Sequence, residues 1–169
     1  DCYVLITDES IEAVDQILPT LELVSRENRP LLIVAENVQD QALAALIMNA
    51  IRGTMRVAAI KAPLYGEERR NTLKDLATSI GATFINRASG TSLKEIKLEN
   101  LGIVSSVDVT KRDTTFIGGN GDMEEVDRRI ETLKVELEQT DNMHEAQRIQ
   151  DRITRLASGV AIIRAGGLS

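Results

Sequence analysis

Unbroken apolar runs set the strongest constraint on this chain. Tyr3-Val4-Leu5-Ile6 and Leu31-Leu32-Ile33-Val34-Ala35 show no apolar–polar alternation, so neither suits a sheet with one wet face. Helical spacing follows the first run, with apolar residues at Ile11, Val14, Ile17, Leu18, Leu21 and Val24. Pro19 interrupts that stretch, and proline is costly inside a helix. A helical turn before Leu18 and a second helix from Pro19 to Glu27 are therefore expected. Pro30 then marks the exit into the strand Leu31–Ala35. A helix over Gln39–Arg52, a strand over Met55–Lys61 and a helix over Glu67–Ile80, stopped by Gly81, come next. A short strand, Thr83–Ile85, completes the series. Apolar strands separated by helices predict an α/β fold, with a mostly parallel sheet flanked by helices on both faces.

The remainder has a different pattern. Residues 102–117 read as β structure, with Val104, Val107 and Val109, then Thr114–Ile117. After a glycine-rich turn, Gly118-Gly119-Asn120-Gly121, two helices are expected over Met123–Gln139 and Glu145–Ala157. Their apolar positions are Val126, Ile130, Leu133 and Leu137, then Ile149, Ile153 and Leu156. Spacings of three and four put each set on one narrow stripe, and the short connection predicts an antiparallel αα-hairpin. Val160–Ile163 resumes as a strand.

Composition narrows the chemistry. A net charge of −6 over 169 residues argues against phosphate-backbone binding, and 2% aromatics with no Trp against base stacking. No nucleic-acid partner and no membrane partner are expected, since no apolar run approaches the ~20 residues that span a bilayer. No signal peptide is expected. With one cysteine and one histidine, Cys2 and His144 cannot together supply a zinc site, and no metal is expected. Cys2 reads as a small apolar filler and His144 as a solvated loop residue. Gly118–Gly121 lacks the P-loop pattern. The acidic residues behind it, Asp122, Glu124, Glu125 and Asp127, would repel phosphate and instead suit a helix N-terminus. Glu36, at the end of the second apolar strand, is the best-placed carboxylate for a ligand cleft. It supports an alternative reading as a small-molecule-binding α/β enzyme domain.

The segment Gln39–Arg52 is the most informative. At about 100° per residue, Leu43, Leu46, Ile47, Met48 and Ile51 cover roughly 200° of arc. A surface helix needs an apolar stripe only somewhat wider than about 100° for its own core. Leu46, Ala50 and Ile51 are expected to face the sheet. Leu43, Ile47 and Met48 are left facing outward, joined by Leu18 and Leu21 of the preceding helix. That surplus fits either deep burial under other elements or a hydrophobic groove between two helices, made for a partner. Met and flexible aliphatics there suit partners of varied shape.

These stretches resemble the apical domain of group I chaperonins, the GroEL family. The resemblance runs from Tyr3 to Arg164. It is carried by Arg29-Pro30-Leu31-Leu32-Ile33-Val34-Ala35-Glu36, by Gln41-Ala42-Leu43-Ala44-Ala45-Leu46 with Asn49 and Arg52-Gly53, and by Val57-Ala58-Ala59-Ile60-Lys61-Ala62-Pro63. Asp75-Leu76-Ala77 and Leu156-Ala157-Ser158-Gly159-Val160-Ala161-Ile162-Ile163 complete it. It implies residues 1–159 as a polypeptide-binding apical domain and 160–169 as the start of the intermediate domain. It implies a chaperone subunit whose groove captures unfolded polypeptides and the mobile loop of a co-chaperonin. By position the groove residues are Leu18, Leu21, Leu43, Ile47 and Met48, with Asn49 beside them. Gln41 and Arg52 fall where the family makes contacts between sister subunits of a homo-oligomeric ring.

The resemblance further implies ATP and Mg in an equatorial domain of the full-length protein. No cofactor and no catalysis are expected of the residues given. They read as a piece of a longer chain, beginning after the family's aromatic groove residues, and monomeric when isolated. A cytoplasmic protein is implied, with mitochondrial matrix or plastid stroma as alternatives. Three departures stand out. Leu64 replaces a glycine of the turn after the central strand, so that turn is expected to differ. Gln41 replaces a common glutamate, and Ser158 replaces the first glycine of the hinge.

Overall fold

In a computed structural model, residues 1–53 and 55–165 are described. The main sheet is built from β1 (Cys2–Thr7), β3 (Leu31–Ala35), β5 (Val57–Lys61), β6 (Phe84–Ile85) and β7 (Gly102–Val104). Its order is β5-β3-β1-β6, all parallel. The antiparallel β7 lies beside the N-terminal half of β1, where Cys2 faces Val104. Side chains alternate across a strand, and this period divides the core in two. Tyr3, Leu5, Leu31, Ile33 and Ala35 pack on one face with α1 (Val14–Glu27) and α2 (Asp40–Ile51). Val4, Ile6, Leu32 and Val34 pack on the other with α3 (Gly66–Ile80), through Leu73, Leu76, Ala77 and Ile80. Both faces are dry, as the unbroken apolar runs require.

A second sheet, antiparallel and ordered β10-β9-β8, joins Ser106–Val109 (β8), Thr114–Ile117 (β9) and Val160–Ile163 (β10). Buried Phe116 and Ile163 belong to the α3-side core. The buried Thr114 hydroxyl donates to the Ala165 carbonyl at 2.6 Å. Val160–Ile163, which the resemblance puts at the start of a second domain, pairs with β9 along its whole length. Residues 166–169 of that segment lie outside the described residues.

Helices α4 (Met123–Gln139) and α5 (Met143–Ser158) form the expected hairpin, with a small core of Val126, Leu133, Ile149, Ile153 and Leu156. A carboxylate ties it to α3. Asp75 accepts from Arg129 Nε at 2.8 Å and from Arg152 Nε and a terminal nitrogen at 2.7 and 3.1 Å. Burial of Arg152 acts against its charged form, but its bonds and attraction to Asp75 win, and its pKa is raised.

Several expectations need correction. α1 runs unbroken through Pro19. A helical proline removes the bond to the carbonyl four residues back, here that of solvent-exposed Asp15, which water can satisfy. Buried Ile17, Thr20, Leu21 and Val24 hold the two halves in line. α5 starts at Met143 because Asn142 caps it, accepting from the backbone N–H of His144 at 2.9 Å and of Glu145 at 3.1 Å. His144 is thus in the first turn of a helix, exposed, rather than in a loop. The two-residue strands β2 (Ser10–Ile11) and β4 (Asn37–Val38) pair in parallel, and three 3₁₀ turns lie between residues 87 and 100. Cys2 lies half-buried at the margin of the α3-side core, and burial pushes its thiol pKa up.

Candidate functional site

Helices α1 and α2 lie side by side on one face of the sheet and share one core. Ala42 and Leu46 point α2 inward; Ile17, Leu21 and Val24 do so for α1. Beyond that shared core the helices keep apolar surface in solvent. Leu18 is 44% exposed, Ile47 44%, Met48 46% and Ile51 75%. On α2 these positions follow from the helical angle. Taking Ala42 as the inward direction, Ile47, Ile51, Ala44 and Met48 fall about 140° to 240° away.

The structure divides the predicted groove residues. Leu18, Ile47 and Met48 are exposed, as expected. Leu43 is half-buried against the core rather than fully outward. Leu21 is only 5% exposed, which corrects its expected outward position. It lies one turn from both Ile17 and Val24, on the inward stripe. Ile51 and Ala50, expected against the sheet, face solvent near the end of α2, where the helix outruns the core beneath it. Ile51 is an exposed apolar residue that the sequence reading missed, although its angle, nearly opposite Ala42, already carried the signal. Asn49 is half-buried, and its side-chain amide donates to the Ala45 carbonyl at 2.8 Å. Gln41 and Arg52 are exposed at opposite ends of α2, on one side of it and roughly 16 Å apart along its axis.

Glu36 is engaged elsewhere. It forms an ion pair with Arg69, whose guanidinium also donates to the carbonyls of Ala62, Pro63 and Leu64. Burial lowers the Arg69 pKa. This clamp holds the turn in which Leu64 replaces a glycine, and Leu64 takes the left-handed φ of +62°. The turn thus keeps a glycine-type backbone despite the substitution. A polar cleft of about 660 Å³ does open beyond the ends of β1 and β6, lined by Asp8, Glu9, Ser10, Gln16, Arg70 and Arg87 among others, but not by Glu36.

The glycine-rich turn is no phosphate cradle. A Cβ at Gly121 would come within 2.5 Å of the Thr78 and Ser79 carbonyl oxygens, and one at Gly119 within 2.7 Å of the Ser79 oxygen. The turn is closed down on the end of α3. Among the described residues, no group of three His, Cys, Asp or Glu side chains is placed to hold a metal, and no helix is long and apolar enough to cross a membrane.

No family profile matches this chain. Over 166 residues, 98% of its length, it is 42% identical to the RuBisCO large subunit-binding protein subunit alpha, chloroplastic, of Chlamydomonas reinhardtii. It spans 29% of that relative's length. That relative is a chaperonin subunit of the GroEL type, and the α/β fold seen here, with its parallel sheet flanked by helices, matches the apical domain of that type. This chain belongs to the group I chaperonin (GroEL) family.

Proposed function

We propose that this chain is the polypeptide-binding part of a chaperone. It holds unfolded polypeptides, and the mobile loop of a co-chaperonin, in the groove between α1 and α2. The observation that carries the reading is the exposed apolar face of Leu18, Ile47, Met48 and Ile51, above a core already closed by Leu21, Ala42 and Leu46. A relative whose name describes binding of the RuBisCO large subunit supports a polypeptide as the ligand.

The energetics fit transient capture. Fully burying a side chain such as Ile, Leu or Met is worth about 1.5–3 kcal/mol, so half-exposed ones offer about 1 kcal/mol each. Loss of translational and rotational freedom offsets most of that. One groove therefore binds weakly and releases readily, and a ring of grooves acting on one chain multiplies the affinity. Sister subunits meeting near Gln41 and Arg52 belong to this proposal. So does ATP with Mg, which residues of the full-length protein outside this stretch would bind and hydrolyse; this part itself is proposed to catalyse nothing. The proposed compartment is the cytoplasm, with matrix or stroma as alternatives, and the chloroplast location of the relative supports the stroma.

The test is calorimetric titration of a co-chaperonin mobile-loop peptide into this chain and into an Ile47→Glu, Met48→Glu variant. Exposed positions tolerate glutamate without unfolding. Affinity should fall by about tenfold or more, the equivalent of ~1.4 kcal/mol. Equal affinity would refute the reading.

A further inference from the structure

The main sheet reverses its winding beside β1. From β1 the chain adds β3 and then β5 on one side, with α1 and α2 packed on one face. Helix α3 then carries it back along the opposite face, and β6 pairs with β1 on the other side. In open parallel sheets, ligands enter the crevice outside the strand carboxyl ends, where the strand order reverses. The polar cleft of about 660 Å³ opens at that point, against the residues that follow β1 and β6. Small-molecule sites commonly measure about 300–1,000 Å³, so the cleft is of ligand size.

Its walls are fixed by hydrogen bonds. Thr7, the buried last residue of β1, donates its hydroxyl to the Ile85 carbonyl at 2.7 Å and accepts from the Glu9 N–H at 3.1 Å. The two strand ends are thus tied together beneath the opening. On the α1 side, Gln16 Oε1 accepts from the N–H groups of Glu12 and Ala13, both at 2.9 Å, and Gln16 Nε2 donates to the Ser10 carbonyl at 3.2 Å. The Gln39 side-chain amide donates to Glu12 Oε1 at 2.8 Å. The polar groups of this junction are therefore satisfied among themselves.

Three groups at the cleft are not. Arg70 reaches it from α3 and Arg87 from the turn after β6. Among the described residues, neither guanidinium makes an ion pair or a hydrogen bond. Arg69, next in sequence to Arg70, is by contrast fully engaged with Glu36 and the turn around Leu64. The side-chain oxygen of Asn86 is shut off from solvent and has no hydrogen-bond partner among the described residues. A buried acceptor left open in this way is unusual, and rotation about its terminal torsion offers it to a donor in the cleft.

Charge divides the cleft in two. Asp8 and Glu9 stand on the β1 side, and the two guanidinium groups on the α3 and β6 side. Arginine forks bind phosphate through charge-assisted hydrogen bonds. Carboxylates accept from hydroxyl groups and repel a second anion. From this arrangement we infer that the cleft is a binding site for a small hydroxylated phosphate ester, of the sugar-phosphate class, separate from the α1–α2 groove. The phosphate lies between Arg70 and Arg87, and the hydroxyl groups of the other end meet Asp8, Glu9 and Asn86.

The test is calorimetric titration of the chain with glucose 6-phosphate, and with inorganic phosphate, glucose and citrate for comparison. Glucose 6-phosphate should saturate a single site and bind at least about tenfold more tightly than any of the other three. Arg70→Gln and Arg87→Gln should each weaken it by about tenfold or more, the loss of one charge-assisted hydrogen bond. Both positions are exposed, and an unchanged Tm shows that each variant keeps the fold. Backbone amide shifts on binding should centre on residues 8–10 and 86–88. An Ile47→Glu, Met48→Glu variant should bind glucose 6-phosphate like the parent chain, and a loss there overturns the separation of the two sites. The assignment is overturned by the absence of saturable binding up to about 10 mM. Affinity unmoved by both arginine substitutions, or citrate or glucose binding as tightly as glucose 6-phosphate, overturns it equally.

Discussion

Replacing Asp75 by asparagine removes one charge with almost no change of shape, and the structure sets what that should cost. Asp75 on α3 accepts three hydrogen bonds from Arg129 of α4 and Arg152 of α5, and all three side chains are largely buried. Asparagine can accept only part of that set, and it leaves two sequestered guanidinium groups without a counter-charge. Breaking a buried pair from one side costs about 3–5 kcal/mol. Because these groups keep some contact with water, the lower end, about 3 kcal/mol, is expected here. For a chain of this length that corresponds to a drop in Tm of roughly 6–12 °C. The loss should also be local. The hairpin's apolar core, Val126, Leu133, Ile149, Ile153 and Leu156, forms a cluster separate from the two cores that pack on the main sheet. Hydrogen exchange should therefore accelerate across Met123–Ser158 well before it does in β1 and β3. An Asp75→Asn variant within about 0.5 kcal/mol of the parent chain, the range of ordinary surface substitutions, would refute this account of how the hairpin is held.

Other consequences follow from single positions. Leu64 sits in the left-handed region with its side chain exposed, so Leu64→Gly should stabilise the chain by about 1 kcal/mol, read as a rise in Tm. Gly121→Ala should destabilise it by about 1–3 kcal/mol in chemical denaturation, since the new methyl meets two carbonyl oxygens of α3. The Tyr3 side chain is buried and its hydroxyl donates to Glu27 at 3.2 Å; burial first, and Glu27 second, raise its pKa from the usual 10. A raised acid pKa means the fold favours the protonated phenol. That contribution is complete below pH 10 and is lost as pH rises through the higher folded value. In a Tyr65→Phe variant, tyrosinate absorbance should therefore appear only above pH 10, together with loss of structure, and a free titration in an intact fold would contradict this.

The sequence showed most clearly what burial on two faces requires. Tyr3–Ile6 and Leu31–Ala35 had to be interior strands, because no other element hides such runs, and the helical periods between them were plain. Where legibility failed, tertiary packing had overruled local rules. Pro19 should have broken α1, but Ile17 and Val24 are anchored on either side of it. The stretch around Leu93, Ile96, Leu98 and Leu101 packs on α1 in 3₁₀ turns with spacings of three, two and three, which match neither helix nor strand. Two-residue strands such as Asn37–Val38 carry no pattern at all. In the candidate site, the angle of α2 revealed its second apolar face. Hydropathy does not show where the core ends, which is why Ile51 reads as inward and Leu21 as outward in the sequence alone. The polar junction of Glu12, Gln16 and Gln39 was invisible to hydropathy, since each residue alone reads as ordinary surface.

The most direct test of the central claim is to follow methyl resonances of this chain while a reduced, carboxymethylated and permanently unfolded polypeptide is added. The account predicts shifts confined to Leu18, Leu43, Ile47, Met48 and Ile51, with the α3-side methyls of Leu73 and Leu76 unmoved. Shifts centred on the cleft near Asp8 and Arg87, or none at the α1–α2 face at saturating polypeptide, would contradict it.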